Sequence, residues 1–157
     1  MTSVTSFPQR GGCTCGEIRF EITSKPLFVH CCHCRWCQRE TGSSFALNAL
    51  IEADRVRLLK GDVKVVNTLS HGGKVQKISR CPSCHVAVWS NYASNALHIV
   101  RVGNLDTPDS MPPDIHIFTA TKQSWVLLPP DKPVVAEYYV SSKYWPQESL
   151  MRRAAKR

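Results

Sequence analysis

The stretch Cys13-Thr14-Cys15-Gly16-Glu17-Ile18-Arg19-Phe20-Glu21-Ile22 sets a cysteine pair at the head of a strict polar–apolar alternation. Ile18, Phe20 and Ile22 fall on one side, and Glu17, Arg19 and Glu21 on the other. That is the period-two signature of a half-buried β-strand. Working outward, strand-like runs recur over residues 44–51, 56–59, 63–69, 74–80, 86–92, 97–102 and 115–118. Gly61-Asp62, His71-Gly72-Gly73, the Asn91, Ser94 and Asn95 region and a proline-rich loop over 108–113 punctuate them. Short strands between Gly and Pro turns predict an all-β fold of antiparallel sheets, a sandwich, barrel or folded-over sheet. Helix is expected only as about one turn over 35–41 and as a marginal terminal helix over 147–156. With no internal repeat or linker, the chain divides into an N-terminal extension (1–10), one β domain (11–140) and a basic tail (141–157).

At 157 residues and 43 % apolar content, the chain can bury a core without covalent staples. Eight cysteines in such a chain therefore read as metal ligands rather than as a disulfide framework. The first twelve residues carry no apolar leader and no run is long enough to span a membrane, so a reducing, cytoplasmic setting is expected. The net charge is +8, from 20 Lys and Arg against 12 Asp and Glu. Filled zinc–thiolate centres would remove about three units of that surplus. The last six residues look like a solvated basic end. Aromatic side chains do not interleave with the basic ones as a single-strand binder needs, which argues against nucleic acid; a small acidic ligand suits the charge equally well.

The cysteines sort by spacing. Cys13 and Cys15, two apart in an extended segment, present both sulfurs on one face. The distant Cys81-Pro82-Ser83-Cys84 is a knuckle whose proline sets the turn. Four thiolates close a tetrahedral zinc site, and a clamp joining such distant segments adds its binding energy to folding. Two separate thiol pairs, or a redox Cys-x-x-Cys, are the competing reading; no βαβ context supports the latter.

The run Cys31-Cys32-His33-Cys34-Arg35-Trp36-Cys37 offers a triplet at Cys32, Cys34 and Cys37. Three sulfurs leave zinc an exchangeable corner. Strong thiolate donation makes such a zinc a weak acid, better suited to holding an incoming thiolate than to making hydroxide. Alternation turns Cys31 and His33 to the opposite side, Cys31 as a buried small residue and His33 behind the ligands or at the surface. His30 reads as a strand end. The alternative is a second closed structural site completed by His33 or Cys31.

These motifs, in order, resemble the glutathione-dependent formaldehyde-activating enzyme family, which also includes centromere protein V. The resemblance rests on GGCTCGEIRFE (11–21), HCCHCRWCQRETGSSF (30–45), RCPSC (80–84), VGNLD (102–106) and PPDIHIFTATKQSW (112–125). It implies a β-tent of antiparallel sheets with two zinc ions. Cys13, Cys15, Cys81 and Cys84 would hold the structural ion, and Cys32, Cys34 and Cys37 the catalytic one. The implied activity is carbon–sulfur lyase, exchanging S-(hydroxymethyl)glutathione with glutathione and formaldehyde. One departure is His85, where the family usually has glycine, which puts the local turn geometry in question.

On that footing, a substrate thiol such as glutathione is expected beside the triplet. Arg35 and Arg39 are candidates for its carboxylates, Trp36 for the pocket wall, and His116 for a proton carrier or substrate contact. Phe45 and Trp125 are further candidates for that wall, with core packing the favoured expectation for both. The competing classes are a non-catalytic zinc β module for protein or nucleic-acid contacts, and a zinc–thiolate sensor of electrophiles.

Overall fold

The computed structural model describes residues 5–92 and 94–156. Among the described residues, ten strands form two sheets. The smaller contains β1 (Gln9–Gly12), β2 (Arg19–Ile22) and β5 (Val56–Lys60), in the order β1-β2-β5. The larger contains β3 (Phe28–Cys32), β4 (Ala46–Glu52), β6 (Lys64–Leu69), β7 (Val75–Arg80), β8 (Ala87–Asn91), β9 (Leu97–Arg101) and β10 (Ile115–Ile117). Its order is β10-β3-β4-β9-β8-β7-β6. Two helices complete the described chain, α1 (Arg35–Thr41) and α2 (Gln147–Ala154). The fold is all-β as expected, with one exception to the antiparallel rule: β10 lies parallel to β3.

Alternation assigns a job to each face of the large sheet. Val29, Ala49, Trp89 and Val100 turn towards the small sheet and share a core with Ile18, Phe20 and Ile22. Phe20 meets Trp89 edge-on, with ring centroids 5.5 Å apart. The other face carries Phe28, Cys32, Ala46, Ile115 and Ile117, packed under Trp36, Phe118, Tyr139 and Trp145. Cross-strand registers fix this division: Cys32 is opposite Ala46, Asn48 opposite Arg101, and Ile117 opposite Cys32.

Two strands were not legible as such. In β1, Gln-Arg-Gly-Gly has no apolar alternation. Its glycines serve close approach instead, since a Cβ on Gly11 would come within 2.5 Å of the Asn104 carbonyl oxygen. The strand β3 is buried on both faces, so its pattern does not alternate, and His30 lies in its middle rather than at its end.

The C-terminal segment is only partly solvated. Arg152 on α2 donates from Nε and Nη2 to the two carboxylate oxygens of buried Glu52, at 2.9 and 2.7 Å. Ser149 of the same helix is buried. Arg152 is thus an anchor, against the expectation for the last six residues. Among the described residues, no helix is long and apolar enough to cross a membrane.

Candidate functional site

Cys13 and Cys15 lie in the turn between β1 and β2, which closes through a Gly16 N–H bond to the Cys13 carbonyl at 3.1 Å. Cys81 and Cys84 form the knuckle between β7 and β8. Their four sulfurs lie within 4.8 Å of one another. Cys13 and Cys15 Sγ are 3.5 Å apart, and Cys15 and Cys81 Sγ 3.6 Å. Tetrahedral zinc with ordinary Zn–S bonds needs sulfurs about 3.7–3.8 Å apart. The Ile18 N–H donates to Cys13 Sγ at 3.3 Å, and hydrogen bonds from the backbone of Val86 and Cys15 pull the Cys84 thiol down to about 6. The group therefore fits a closed zinc site, and it ties the small sheet to the large one. All eight cysteines are free thiols.

His85, after the knuckle, takes a left-handed backbone conformation with φ +62°. That conformation suits glycine and strains a side chain, so the position is one that glycine fits more easily than histidine. Its N–H still bonds the Cys81 carbonyl at 3.1 Å, and Arg80 donates to its carbonyl at 3.2 Å while pairing with Glu40 of α1. The turn geometry survives with a histidine in it.

The second group, Cys32, Cys34 and Cys37, is buried throughout, its sulfurs again within 4.8 Å of one another. Cys32 ends β3. Cys34 caps α1, its sulfur accepting the Cys37 N–H at 3.3 Å, and Cys37 returns over the first turn. Hydrogen bonds from Cys32 and Cys37 pull the Cys34 thiol down to about 2 against the opposing effect of burial, while Cys37 is pushed up. Three sulfurs sharing protons in this way are a donor set that a cation would ionise in full. Among the described residues no fourth Cys, His, Asp or Glu joins the group. The set fits zinc with one corner open.

The three cysteines line a cleft of about 810 Å³ on the helix-bearing face of the large sheet. Trp36 stands in its wall, its Nε1 donating to the Leu69 carbonyl at 2.7 Å. Tyr138, Tyr139 and Trp145 close another side; Trp145 donates to Tyr139 Oη at 2.7 Å, and Tyr139 pairs with His30. Burial pushes His30 down to about 4, so it is neutral at physiological pH. His71, on the β6–β7 turn, also lines the cleft.

The cleft's most unusual member is Arg101. It is 8 % exposed, bonds Asn48 Oδ1 through Nη1, and leaves Nη2 without any partner. Among the described residues no carboxylate lies within ion-pair distance of it. Burial pulls its pKa down, partly opposed by the negative charge of Cys37 and Glu40. A buried guanidinium with an open donor costs free energy unless an anion joins it.

The structure thus assembles both cysteine groups and puts Trp36 at the triplet. It separates the other expected residues. Arg35 and Arg39 line a different depression, with Gln123 and Trp125. His116 faces away from the triplet, on the opposite side of β3, beside Cys31 and His33. His33 is fully buried there rather than at the surface, and neither it nor Cys31 completes the triplet. Trp125 is 69 % and Phe45 37 % exposed, so neither is a core residue. Sequence reasoning missed Arg101, Asn48, His71, Tyr138 and Tyr139. The signal for two of them was present: Leu97, Ile99 and Arg101 share one face by alternation, as do Ala46, Asn48 and Leu50, placing polar groups on an apolar face.

A solved structure of a Rhodobacter sphaeroides protein matches 62 % of this chain and 87 % of its own length, at 19 % identity and a TM-score of 0.48. The family described as glutathione-dependent formaldehyde-activating enzyme matches residues 8–121, well over half the chain. With its cysteine groups in place, the chain belongs to the glutathione-dependent formaldehyde-activating enzyme family.

Proposed function

We propose that the protein is a zinc-dependent carbon–sulfur lyase that joins or splits an acidic thiol, glutathione or a close relative, and a small aldehyde such as formaldehyde. Two zinc ions would serve it, one held by Cys13, Cys15, Cys81 and Cys84, the other by Cys32, Cys34 and Cys37. When bound, the second ion supplies a site that keeps the substrate sulfur as thiolate at neutral pH.

The chain's own residues supply the rest. Arg101 Nη2 receives a substrate carboxylate, and Asn48 orients the guanidinium through Nη1. Tyr138, Tyr139 and Trp36 enclose the reacting groups and limit water. In the joining direction the sulfur lone pair forms the S–C bond to the aldehyde carbon. The C=O π pair moves to oxygen, and the proton given up by the thiol ends on that oxygen; His71, an exposed imidazole lining the cleft, would carry it. In the splitting direction the hydroxyl proton leaves, C=O re-forms and the S–C bond breaks. Because His116 faces the other side of β3, it has no part in this scheme.

The observation that carries this reading is the three-sulfur group opening on a cleft that also holds an unpaired buried guanidinium. Exchange spectroscopy on an equilibrium mixture of glutathione, formaldehyde and their adduct tests it. Zinc-loaded protein should speed the exchange above the unaided rate, and Cys34→Ser should return it to that rate. If the zinc-loaded protein leaves the rate unchanged, the lyase assignment fails and the sensor or interaction-module reading replaces it.

A further inference from the structure

Cys31 and His33 lie two apart on β3 and its continuation, on the face turned away from the cleft. His116 is the direct register partner of Cys31 on the parallel strand β10. All three side chains are buried, at 2 %, 0 % and 6 % exposure. His33 Nε2 is 3.5 Å from Cys31 Sγ and 3.1 Å from His116 Nδ1, and each of the three residues offers a ligand atom within 4.8 Å of the other two. The two rings are inclined by 27°, with centroids 5.4 Å apart.

We propose that Cys31, His33 and His116 form a third transition-metal site, for a zinc or copper ion, back to back with the triplet across one strand. Ordinary Zn–S and Zn–N bonds at tetrahedral angles put sulfur and nitrogen about 3.5 Å apart and two nitrogens about 3.3 Å apart. The observed spacings match these to within a few tenths of an ångström. One thiolate with two imidazoles is a donor set that both zinc and copper accept. Without a cation the three inward-facing atoms must share protons, and at most two hydrogen bonds can form among them. A cation takes all three lone pairs at once. With the inner nitrogens as ligands, the outer ones, His33 Nδ1 and His116 Nε2, carry the ring protons, and neither has a protein partner.

Such an ion would fasten β10 to β3. The strand is only three residues long, and its next residue, Ile117, lines the cleft on the other face. A metal on one side of the sheet would therefore hold the wall of the cleft on the other. The inference is independent of the lyase reading, because none of its three ligands lines the cleft.

Cadmium-113 NMR of the unmodified chain, reconstituted with cadmium, reads the sites by their sulfur count. Three resonances are expected: one for four thiolates, one for three, and one for a single thiolate with two imidazoles. Metal analysis after loading with zinc, and separately with copper, gives the ions per chain. Cys31→Ser and His116→Asn should each remove the single-thiolate resonance and one ion, leaving the other two. The Cys32→Ser/Cys34→Ser/Cys37→Ser variant should lose only the three-thiolate resonance, whatever becomes of its activity. A cadmium spectrum of the unmodified chain without the single-thiolate resonance overturns the proposal. So does full metal content in both the Cys31 and His116 variants.

Discussion

Arg101 allows stability and binding to be separated by one substitution, Arg101→Met. In the resting protein the guanidinium is 8 % exposed, with Asn48 Oδ1 as its hydrogen-bonding partner and Nη2 unpaired. Removing a buried charge without a paired carboxylate returns part of its desolvation cost, and hydrophobic replacement of buried ions typically stabilises by about 1–4 kcal/mol. Against this, Asn48 Oδ1 loses its donor, which costs about 1–3 kcal/mol. The two effects nearly cancel, so the melting temperature should move by no more than about 5 °C, at roughly 2–4 °C per kcal/mol for a chain of this size.

Binding should respond differently. Truncating one side of a desolvated carboxylate–guanidinium pair costs about 2–5 kcal/mol. At about 1.4 kcal/mol per decade, kcat/KM for glutathione should fall by about 30-fold to a few thousand-fold. The same assay with N-acetylcysteamine, a thiol without a carboxylate, should show little change. Arg101→Lys should lie between, keeping the charge but losing the two-pronged geometry. An equal loss for both thiols, or a large drop in melting temperature, would show that Arg101 holds the fold rather than the substrate.

Three other outcomes follow from the same geometry. Cys84→Ser should release one zinc and leave a protein that melts far lower or aggregates, because the four-sulfur clamp joins the two sheets; metal analysis with calorimetry checks this, and an unchanged melting temperature contradicts it. Arg152→Met should cost about 3 kcal/mol by stranding Glu52, tempered by Arg55 Nε at 3.5 Å. Burial alone would push the Glu52 carboxyl up, but its hydrogen bonds from Arg152 outweigh this and hold it below the ordinary carboxylate value. Its contribution is therefore complete above a pH of about 4.3, the unfolded value, and is lost as pH falls through the depressed folded value. Denaturant melts should show that acid-side loss shrinking in the Arg152 variant; equal acid sensitivity in both proteins would refute the pairing. His85→Gly should stabilise by about 1 kcal/mol by relieving the left-handed strain, read as a higher denaturation midpoint; a lower midpoint would mean the histidine side chain earns its place.

How far the sequence disclosed this protein follows from which signals are local. The alternation of Ile18, Phe20 and Ile22 predicts a strand with a core face, and the sheet confirms both. Cysteine spacing predicts the four-sulfur and three-sulfur groups because each group combines short turns with, at most, one long-range pairing. What stayed hidden depends on register between distant strands. Alternation turns Cys31 and His33 away from Cys32 and Cys34, but it cannot say what waits on the other side. Only the parallel pairing of β10 with β3 brings His116 to Cys31, and that same register removes it from the cleft. Arg35 and Arg39 lie outside the triplet's cleft for a related reason. Sequence nearness to Cys34 and Cys37 does not fix orientation on a two-turn helix, and these arginines project into the depression beside Trp125. Arg101, sixty-four residues beyond Cys37, reaches the cleft because β9 lies beside β4, which lies beside β3. Strand order thus does two things at once. It carries a distant arginine towards the triplet on one face, and on the other it brings His116 of β10 to Cys31 and His33 of the cysteine run.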